Sequence, residues 1–509
     1  MSRATAPPGP PYGFVVELGR RVRVYDGGRT LVGGAPVRLL RLNRRAAALL
    51  HGRRVEVTDR LSQRLAERLL AVGAADPVVA ELPPVDLSRV TVVVPVRDRA
   101  AALDRLLTGL AGRVRAVVVD DCSDDPRAVA RVAARHGAEL VALHRNLGPA
   151  GARNAGLAKV GTPFAAFVDS DVVVAPEALA TLLRHFHHPR VAAAAPRILG
   201  LPGRGEKNWI SRYEDARSSL DLGPEPALVH PRSAVSWVPS ACLVARVDAL
   251  GGGFTDGMRV AEDVDLVWRL AARGWQVRYE PAATARHDHR TRLADWLRRK
   301  AYYGTGAHPL ALRHGALVAP AVLTPWSAAA AAAVLAQRRW SVPVAAGAAA
   351  VAFARLSRTV SGSGRPRRLA ADLVRFGLLG TAGQTSALLL RHWWPLSLAA
   401  CLFSRRARRA VAVAAVADGV AEYLRVSPGL DPVRFVLARR LDDLAYGAGV
   451  WAAALRAGSL RSLLPDFPGV PRSRGGSART STAMTTSEDS DHHTWASRQA
   501  GASRRVVTR

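Results

Sequence analysis

The chain has 509 residues, room for roughly two to four domains, and its 49% hydrophobic and 22% charged residues exclude a wholly disordered protein. Its 72 basic and 41 acidic residues give a net charge of +31. Because no nucleic-acid-binding motif accompanies this charge, it favours anionic substrates or lipid headgroups, and no nucleic-acid partner is expected. Three separated cysteines without a CxxC pair argue against a disulfide framework and a zinc site.

The N-terminal part of the sequence predicts a tail and a small domain. Residues 1–13 are rich in Pro and Gly, are predicted to be disordered, and lack the apolar stretch of a signal peptide. Within residues 14–84 we expect one helix capped by Asn43 and a second over residues 58–72, with Leu61 on its buried face.

Strands and helices alternate from Val90 onward. The predicted strands are TVVVPV, VRAVVVDD, AELVALH and PFAAFVDSD, and the predicted helices cover residues 100–110, 126–136 and 148–160. This alternation predicts an α/β domain over residues 88–300 that is built on a doubly wound sheet. Such sheets bind ligands at the carboxyl ends of their strands.

The strongest chemical signal follows the fourth of these strands. Asp169 and Asp171 stand two residues apart, so on a strand both carboxylates project to the same side. Two close carboxylates repel unless a cation lies near them, and Mg²⁺ or Mn²⁺ prefers such oxygens together with diphosphate oxygens. A solvated turn is the alternative.

Two further segments fall at strand ends. Asp120 and Asp121 end the second strand, where they can accept hydrogen bonds from a nucleotide; the alternative is a helix cap formed by Ser123 or Asp124. Pro95 and Arg97 close the first strand and are expected to flank the same pocket.

Glycines start the third helix. Gly148 permits a close backbone approach at its first turn, and Arg153, one turn later, can either reach a phosphate or lock the nearby aspartates. The segment is neither a Walker A loop nor a GxGxxG fingerprint.

The segment AEDVDLVWRL predicts a helix that begins with Glu262 and Asp263. These carboxylates either cap the helix or supply a general base that takes a proton from an acceptor hydroxyl. Farther on, His287 is either structural or a third ligand of a metal held by Asp171.

Beyond the α/β domain, residues 301–465 form an apolar, Ala-rich region. Residues 315–337 carry no charge and approach the roughly 20 residues of a membrane span. An aromatic segment, HWWP, and the basic cluster at 405–409 are typical of a membrane interface. We therefore expect re-entrant or interfacial helices at the cytoplasmic face of the membrane; a soluble helical domain is the alternative. Residues 470–509 are predicted to be a disordered tail.

The ordered set VVVPVRD, VVVDDCSDD, NLGPAGARNAG, FVDSD and AEDVDLVWRL resembles the family 2 glycosyltransferases. The resemblance implies a GT-A (Rossmann-like) fold, a nucleotide-diphosphate sugar donor and inversion at the anomeric carbon. Carried over by position, the resemblance places Pro95, Asp120, Asp121 and Arg153 at the nucleotide, matches Asp169 and Asp171 to the DxD motif that binds a divalent metal, and assigns the catalytic base to Asp263. From their positions in the sequence we add Arg97, Gly148 and Asp169 at the nucleotide sugar, Glu262 beside the base, and His287 as a further metal ligand. The QxxRW motif of processive members is replaced by RHDHR.

The N-terminal segment is similar to small winged-helix-like peptide-binding domains, although a generic packing domain is the alternative. Fused to the α/β domain, it makes the chain resemble the glycosyltransferases of the mycofactocin system. That resemblance implies transfer of glucose, from UDP-glucose, to a peptide-derived redox cofactor and growth of an oligosaccharide. A lipid or cell-envelope polysaccharide acceptor is the alternative. A nucleotidyltransferase is disfavoured because the GxGxR loop of such enzymes is missing after TVVVPV. A non-enzymatic membrane scaffold is disfavoured because it would not explain Asp169, Asp171 and Asp263.

Overall fold

The computed structural model describes residues 9–202 and 207–468. The predicted tail at 470–509 and the first eight residues lie outside the described part. Residues 9–13, also predicted to be disordered, are instead held by the domain that follows. The Gln63 side chain donates a hydrogen bond to the Pro10 carbonyl at 2.8 Å, and the Gly13 amide donates one to the Val57 carbonyl at 2.8 Å.

Residues 14–84 form two three-stranded sheets and two helices. The elements are β1 (Val15–Leu18), β2 (Arg23–Tyr25), β3 (Thr30–Gly33), β4 (Arg38–Arg41), α1 (Arg44–Ala48), β5 (Arg54–Glu56), α2 (Arg60–Ala71) and β6 (Ala75–Pro77). The strand orders are β5-β1-β6 and β2-β3-β4. The Asn43 side chain caps α1 as predicted, accepting a hydrogen bond from the Ala46 amide. The prediction for Leu61 is wrong: it is 40% exposed, while Leu65 and Leu69 fill the core.

A buried polar contact joins this N-terminal domain to the sheet that follows it. Arg278 is 1% exposed, and its guanidinium donates hydrogen bonds to Asp76 at 3.2 Å and to the Leu70 carbonyl at 3.0 Å. Burial raises the pKa of Asp76 to about 6, although the charge of Arg278 opposes that rise. The two groups therefore depend on each other.

Replacing Arg278 with Met is expected to lower the free energy of unfolding by about 3 kcal/mol, because it leaves the Asp76 carboxyl buried without its cation. Chemical denaturation at neutral pH measures the change. Arg20→Met is the matched control, since Arg20 links the same two regions through an exposed ion pair with Glu225 at 3.6 Å. That pair should contribute less than about 1 kcal/mol. Equal losses in both variants would contradict a special role for the buried contact.

The central sheet has nine strands and lies within residues 90–287. Its elements are β7 (Val90–Val96), α3 (Ala100–Leu110), β8 (Arg115–Asp120), α4 (Pro126–Arg135), β9 (Glu139–Ala142), α5 (Gly148–Leu157), β10 (Phe164–Val168), β11 (Val172–Val174), α6 (Pro176–Arg184), β12 (Val191–Gly200), α7 (Trp209–Arg217), β13 (Ala227–Val229), β14 (Cys242–Arg246), α8 (Val247–Leu250), α9 (Glu262–Ala272) and β15 (Gln276–His287). Short 3₁₀ helices cover Asp26–Gly28, Val79–Glu81, Leu87–Arg89, His185–His187, Gly315–Val318 and Arg461–Leu463.

The strand order is β11-β15-β12-β14-β10-β7-β8-β9, with β13 beside β15. Strands β10, β7, β8 and β9 run parallel, as the sequence predicts. The remainder departs from a doubly wound parallel sheet, because β14 runs antiparallel to both β10 and β12. Alternate residues of β7 enter opposite cores: Val92 and Val94 pack on one face, and Val93 packs on the other.

The helices after β15 divide between two compact units. The elements are α10 (Leu293–Thr305), α11 (Ala307–His314), α12 (Pro325–Ala336), α13 (Ser341–Thr359), α14 (Pro366–Ala387) with a π-helical end (Leu388–His392), α15 (Trp394–Phe403), α16 (Arg405–Val426) and α17 (Pro432–Arg456). The first unit comprises the chain up to Val318 together with Ala415–Ser462, and the second contains residues 319–414 and 463–468 of the described chain. The region predicted as 301–465 is thus split.

Helices α10 and α17 cross in the first unit at two glycines. A side chain at Gly304 would collide with the Tyr446 carbonyl, and one at Gly449 would collide with the Ala301 carbonyl. The two backbones therefore touch directly. Lys300, 4% exposed, reinforces the crossing by pairing with Asp442 of α17 at 3.3 Å.

One helix in the described chain is long and apolar enough to cross a membrane, by length and composition alone. It covers Pro366–His392, with a mean hydropathy of 1.2 over its most apolar window. The segment at 315–337 does not form the continuous span that its composition suggested. A 3₁₀ turn occupies Gly315–Val318, and the α-helix begins only at Pro325, whose ring is tolerated in a first helical turn.

Candidate active site

The predicted site residues meet at one edge of the central sheet. In the parallel registers, Val96 of β7 lies opposite Asp120 of β8, and Phe167 of β10 lies opposite Val93 of β7. The segments that carry Asp120 and Asp169 therefore leave the two strands that flank β7, at the same edge of the sheet. Pro95 is half-buried in β7, and Arg97 beyond it is exposed, 3.4 Å from the Asp98 carboxylate.

Asp121 organises the loop that starts α5. Its carboxylate accepts hydrogen bonds from the amides of Leu147 and Gly148, at 2.6 and 2.9 Å, and from the Asn146 side chain at 3.0 Å. Gly148 has φ +76°, which favours glycine at this turn. Burial raises the pKa of Asp121 despite the two amide hydrogen bonds. In the structure Asp121 thus binds its own chain, and the nucleotide contact that the sequence suggested stays a prediction.

The neighbouring carboxylates also serve local structure. Asp120 accepts a hydrogen bond from the Ser123 amide at 3.0 Å. The expected cap at Ser123 or Asp124 is wrong by one or two residues, because Asp125 caps α4 by accepting from the Ala128 amide at 3.0 Å. The backbone at Cys122 has φ +62°, an unfavourable conformation for a side chain that recurs at functional sites.

Arg153 joins the two acidic segments of the site. Its guanidinium donates hydrogen bonds to Asp169 at 2.6 Å and to Glu262 at 2.7 Å, and it lies 5.3 Å from the centre of the Phe254 ring. Burial lowers the pKa of Arg153, but the charges of both carboxylates outweigh burial and raise it overall. The sequence predicted that Arg153 either reaches a phosphate or holds the nearby aspartates. The structure shows it holding Asp169.

Asp263 lies in the first turn of α9, next to Glu262, which pairs with Arg153. Its carboxylate accepts hydrogen bonds from the Val264 amide at 2.8 Å and from the Ser240 amide at 3.3 Å. Burial and the charge of Glu262 raise the pKa of Asp263 to about 7, against the lowering effect of Arg153. A carboxylate with a pKa near neutrality is suited to accept a proton during a reaction.

Sheet register brings Asp171 to His287. Val172 of β11 pairs with His287 of β15, so the residue before Val172 meets the end of β15. The His287 Nε2 atom lies 3.6 Å from the Asp171 carboxylate, and Arg99 also pairs with Asp171. Burial raises the pKa of Asp171, but His287 and Arg99 lower it by more than burial raises it, so the pKa lies below its usual range.

This pair suits a divalent metal in its chemistry. A carboxylate and an imidazole are ordinary ligands of such ions, and the buried His287 Nδ1 atom has no hydrogen-bond partner in the described chain. Asp169, the third predicted ligand, is instead turned to Arg153. No cluster of three or more His, Cys, Asp or Glu side chains with a metal-binding arrangement occurs among residues 9–202 and 207–468.

Three cations near these carboxylates escaped the sequence analysis: Arg99, Arg290 and Arg299. Arg299 of α10 donates a hydrogen bond to the Tyr303 hydroxyl at 3.0 Å and lies 4.9 Å from the centre of that ring. Burial lowers the pKa of Arg299, while Tyr303, Asp169 and Asp171 raise it overall. The spacing of four residues between Arg299 and Tyr303, about one helical turn, was the available signal, but no helix was predicted there.

The sequence analysis also missed Asp265, whose role is structural. Fully buried in α9, it accepts hydrogen bonds from Thr255 at 2.6 Å, Arg269 at 2.8 Å, Arg313 at 2.6 Å and His314 at 2.9 Å. These contacts tie α9 to α11, which fixes the helix that presents Glu262 and Asp263.

Two family models match the chain. The model of glycosyl transferase family 2 covers residues 91–235, and that of glycosyl transferase family group 2 covers residues 166–404. The chain is 43% identical over 476 residues to the pre-mycofactocin glycosyltransferase of Mycobacterium tuberculosis (strain CDC 1551 / Oshkosh), across 90% of this chain and 98% of that protein. It is 22% identical over 203 residues to the poly-beta-1,6-N-acetyl-D-glucosamine synthase of Staphylococcus aureus (strain COL), across 39% of this chain and 48% of that one.

Among solved structures, the chain is similar to a mannosyltransferase from Pyrobaculum calidifontis in complex with GDP-Man and Mn²⁺. The identity is 21%, the TM-score is 0.35, and the match covers 59% of this chain and 88% of that one. A similarity of this size supports no functional argument. The family model over β7–β13 and the relative that matches along almost its whole length do identify the chain. It is a family 2 glycosyltransferase with the GT-A fold, and it belongs to the family of the pre-mycofactocin glycosyltransferase.

Proposed function

We propose that this enzyme transfers a hexose, glucose from UDP-glucose, to a hydroxyl of a small peptide-derived redox cofactor precursor in the mycofactocin pathway, with inversion, and that repeated transfers build an oligosaccharide. One observation supports the assignment of Asp263 as the catalytic base. Arg153 holds the Asp169 segment and the α9 terminus together, so that Asp263 stands beside the edge where the donor is expected. The acceptor rests on the 43% identity to the mycobacterial relative.

Asp263 acts as the base in a single displacement. It takes the proton of the acceptor hydroxyl while that oxygen forms a bond to the anomeric carbon and the bond to the donor diphosphate breaks. Arg299, with Arg99 and Arg290, offsets the negative charge of the leaving diphosphate. Glu262 and Arg153 keep the Asp263 carboxyl in position and set its proton affinity.

Mg²⁺ or Mn²⁺ is the expected metal, and Asp171 and His287 are the residues that would hold it. Such an ion supplies positive charge at the leaving oxygens. Asp169 contributes through its contact with Arg153, which fixes the strand end from which Asp171 projects.

The N-terminal domain is proposed to bind the peptide part of the acceptor, away from the reacting hydroxyl. It contacts Arg278 near the start of β15, whereas His287 ends that strand. Their partners on β12, Ala194 and Gly200, are six residues apart because β15 bulges between Glu280 and Thr284, so at about 3.3 Å per residue the two positions lie about 20 Å apart. The groups that surround the reacting hydroxyl must therefore come from the central sheet and its helices.

Incubating the protein with labelled UDP-glucose, Mn²⁺ and the peptide-derived precursor tests this function. Transfer of label to the precursor, with an inverted linkage by NMR, is the expected result. Transfer only to a lipid or polysaccharide acceptor would replace the proposed acceptor and keep the enzyme class. Transfer from another nucleotide sugar alone would replace the donor.

Arg299→Ala is expected to raise the KM for the donor about tenfold or more, because it removes a cation opposite the diphosphate. Arg298→Ala is the matched control: Arg298 is the adjacent residue, 77% exposed, and pairs with Asp295. Initial rates over a donor concentration series give both constants. Equal KM values for the two variants would remove Arg299 from the donor site.

We also propose that the second unit holds the enzyme at the cytoplasmic face of the membrane. Its described surface exposes large apolar side chains, with Leu402 at 75% and Phe403 at 90%. Residues 319–414 contain thirteen arginines, no lysine and one acidic residue. Apolar groups flanked by cations suit an anionic membrane surface.

The protein should float with vesicles that contain phosphatidylglycerol in a density gradient, and the double variant Leu402→Asp/Phe403→Asp should float less. An unchanged floating fraction would exclude these side chains as anchors.

A further inference from the structure

The second unit contains an open, mainly apolar cavity of about 520 Å³. Its walls come from the C-terminal end of α12, the turn between α12 and α13, the π-helical turn, α15 and the first turns of α16. Apolar side chains such as Trp393 and Leu396 line it, together with the small Ala407. The volume is within the range of about 300–1,000 Å³ that is usual for sites that enclose organic ligands.

Two arginines, Arg338 and Arg406, line the same cavity. Neither side chain has an acidic or hydrogen-bonding partner in the described chain, and no acidic residue lines the cavity. Hydrogen bonds hold the backbone of both residues. The Gln337 side chain donates a hydrogen bond to the Arg406 carbonyl at 2.8 Å, and the Arg338 amide donates one to the Ser341 hydroxyl at 2.8 Å. Both arginine side chains are exposed, and both line a cavity to which no acidic residue contributes.

A hydrocarbon-lined cavity with two uncompensated guanidinium groups matches one kind of molecule, an amphiphile with an anionic head. Guanidinium groups bind phosphate oxygens through paired hydrogen bonds, and apolar walls favour an acyl chain over water. The surroundings of the cavity indicate how such a molecule would arrive. Trp340, which lines it, is 51% exposed, and Leu396 is 55% exposed, so apolar surface continues outward from the cavity.

We propose that this cavity is a binding site for an anionic phospholipid, with the phosphate against Arg338 and Arg406 and one acyl chain along Trp393 and Leu396. The site is distinct from general attraction to the membrane, because it requires both cations at one cavity. It does not depend on the glycosyl transfer proposed above, since all of its residues lie in the second unit.

The test uses the full-length, delipidated protein in a non-ionic detergent, titrated with phosphatidylglycerol and with phosphatidylcholine of identical chains. Phosphatidylglycerol should bind with a Kd about tenfold lower, and glycerol 1-phosphate should not bind at the same concentrations. Equal affinity for the two lipids would overturn the proposal, as would equally tight binding of glycerol 1-phosphate, which has no chain.

Variants separate the site from bulk charge. Arg338→Gln/Arg406→Gln should abolish the headgroup preference, while Arg355→Gln/Arg358→Gln removes the same charge from α13 outside the cavity and should retain it. Ala407→Phe should weaken both lipids by filling the cavity, and Ala412→Phe, on the same helix outside it, should not. If both arginine pairs lose the preference equally, the discrete site is wrong. The wild-type comparison of headgroups decides the matter even if a variant does not fold.

Discussion

Replacing Asp263 with Asn is expected to lower kcat by about 10³-fold and to leave donor binding within about twofold, because the amide keeps the shape of the carboxyl but cannot take the acceptor proton. Steady-state rates and the Kd for UDP give the two quantities. Asp248→Asn is the control, since Asp248 is an exposed carboxylate on the neighbouring short helix α8. Near-normal turnover of the Asp263 variant would show that another group is the base.

The pH dependence of kcat/KM is a second test of Asp263 as the base. With burial and Glu262 raising the pKa of Asp263 to about 7, kcat/KM for the wild type should fall as the pH drops through that value. Above it the base is ionised and the rate should level off. Glu262→Gln removes a neighbouring negative charge, so it should shift this limb toward lower pH. A limb that stays in place would assign the titration to a different group.

Replacing Asp171 with Ala is the second large effect. It should abolish the part of UDP affinity that depends on Mn²⁺, a loss of about 10- to 100-fold in Kd, because it removes the anionic ligand that sits beside His287. Calorimetric titration of UDP with and without Mn²⁺ measures this part directly. In the absence of metal, the variant and the wild type should differ little.

Asp288→Ala is the matched control for Asp171. Asp288 follows His287 directly, is exposed, and pairs with Arg105 on the surface. The substitution changes the local charge by the same amount, and it keeps the Asp288 amide, which donates a hydrogen bond to the Asp171 carbonyl at 3.3 Å. His287→Ala should share the loss of metal-dependent affinity. If the Asp171 and Asp288 variants behave alike, the effect is one of net charge rather than of ligation.

Local sequence patterns predicted one half of the central sheet well. Helix α3 spans the predicted residues, and α4 differs by one residue, because apolar spacing and the Pro at the start of α4 are local signals. The mixed half was not predicted. Strand β12 begins VAAAA, and alanine has little preference for strands, so its place between β14 and β15 follows from long-range pairing.

The same distinction applies to the site. Asp169, Asp171 and Asp263 were found because each stands at a recognisable strand end or helix start. The contact of Arg99 with Asp171 bridges 72 residues, and the approach of Arg299 to the carboxylates depends on where α10 returns to the sheet. Neither contact can be predicted from a short segment of the sequence. The contacts that Asp121 makes were not predicted for the related reason that its partners belong to a loop 25 residues later.

The crossing of α10 and α17 has a consequence for making smaller versions of this enzyme. Arg299 and Tyr303 lie on α10, but α17, the helix that packs against α10, is synthesised more than a hundred residues later, after residues 319–414 of the second unit. Cutting the chain at Val318 would therefore remove the helix that supports α10. An active minimal enzyme should instead come from excising residues 319–414 and rejoining the ends with a linker, and a ribosome-bound chain should remain inactive until α17 has emerged.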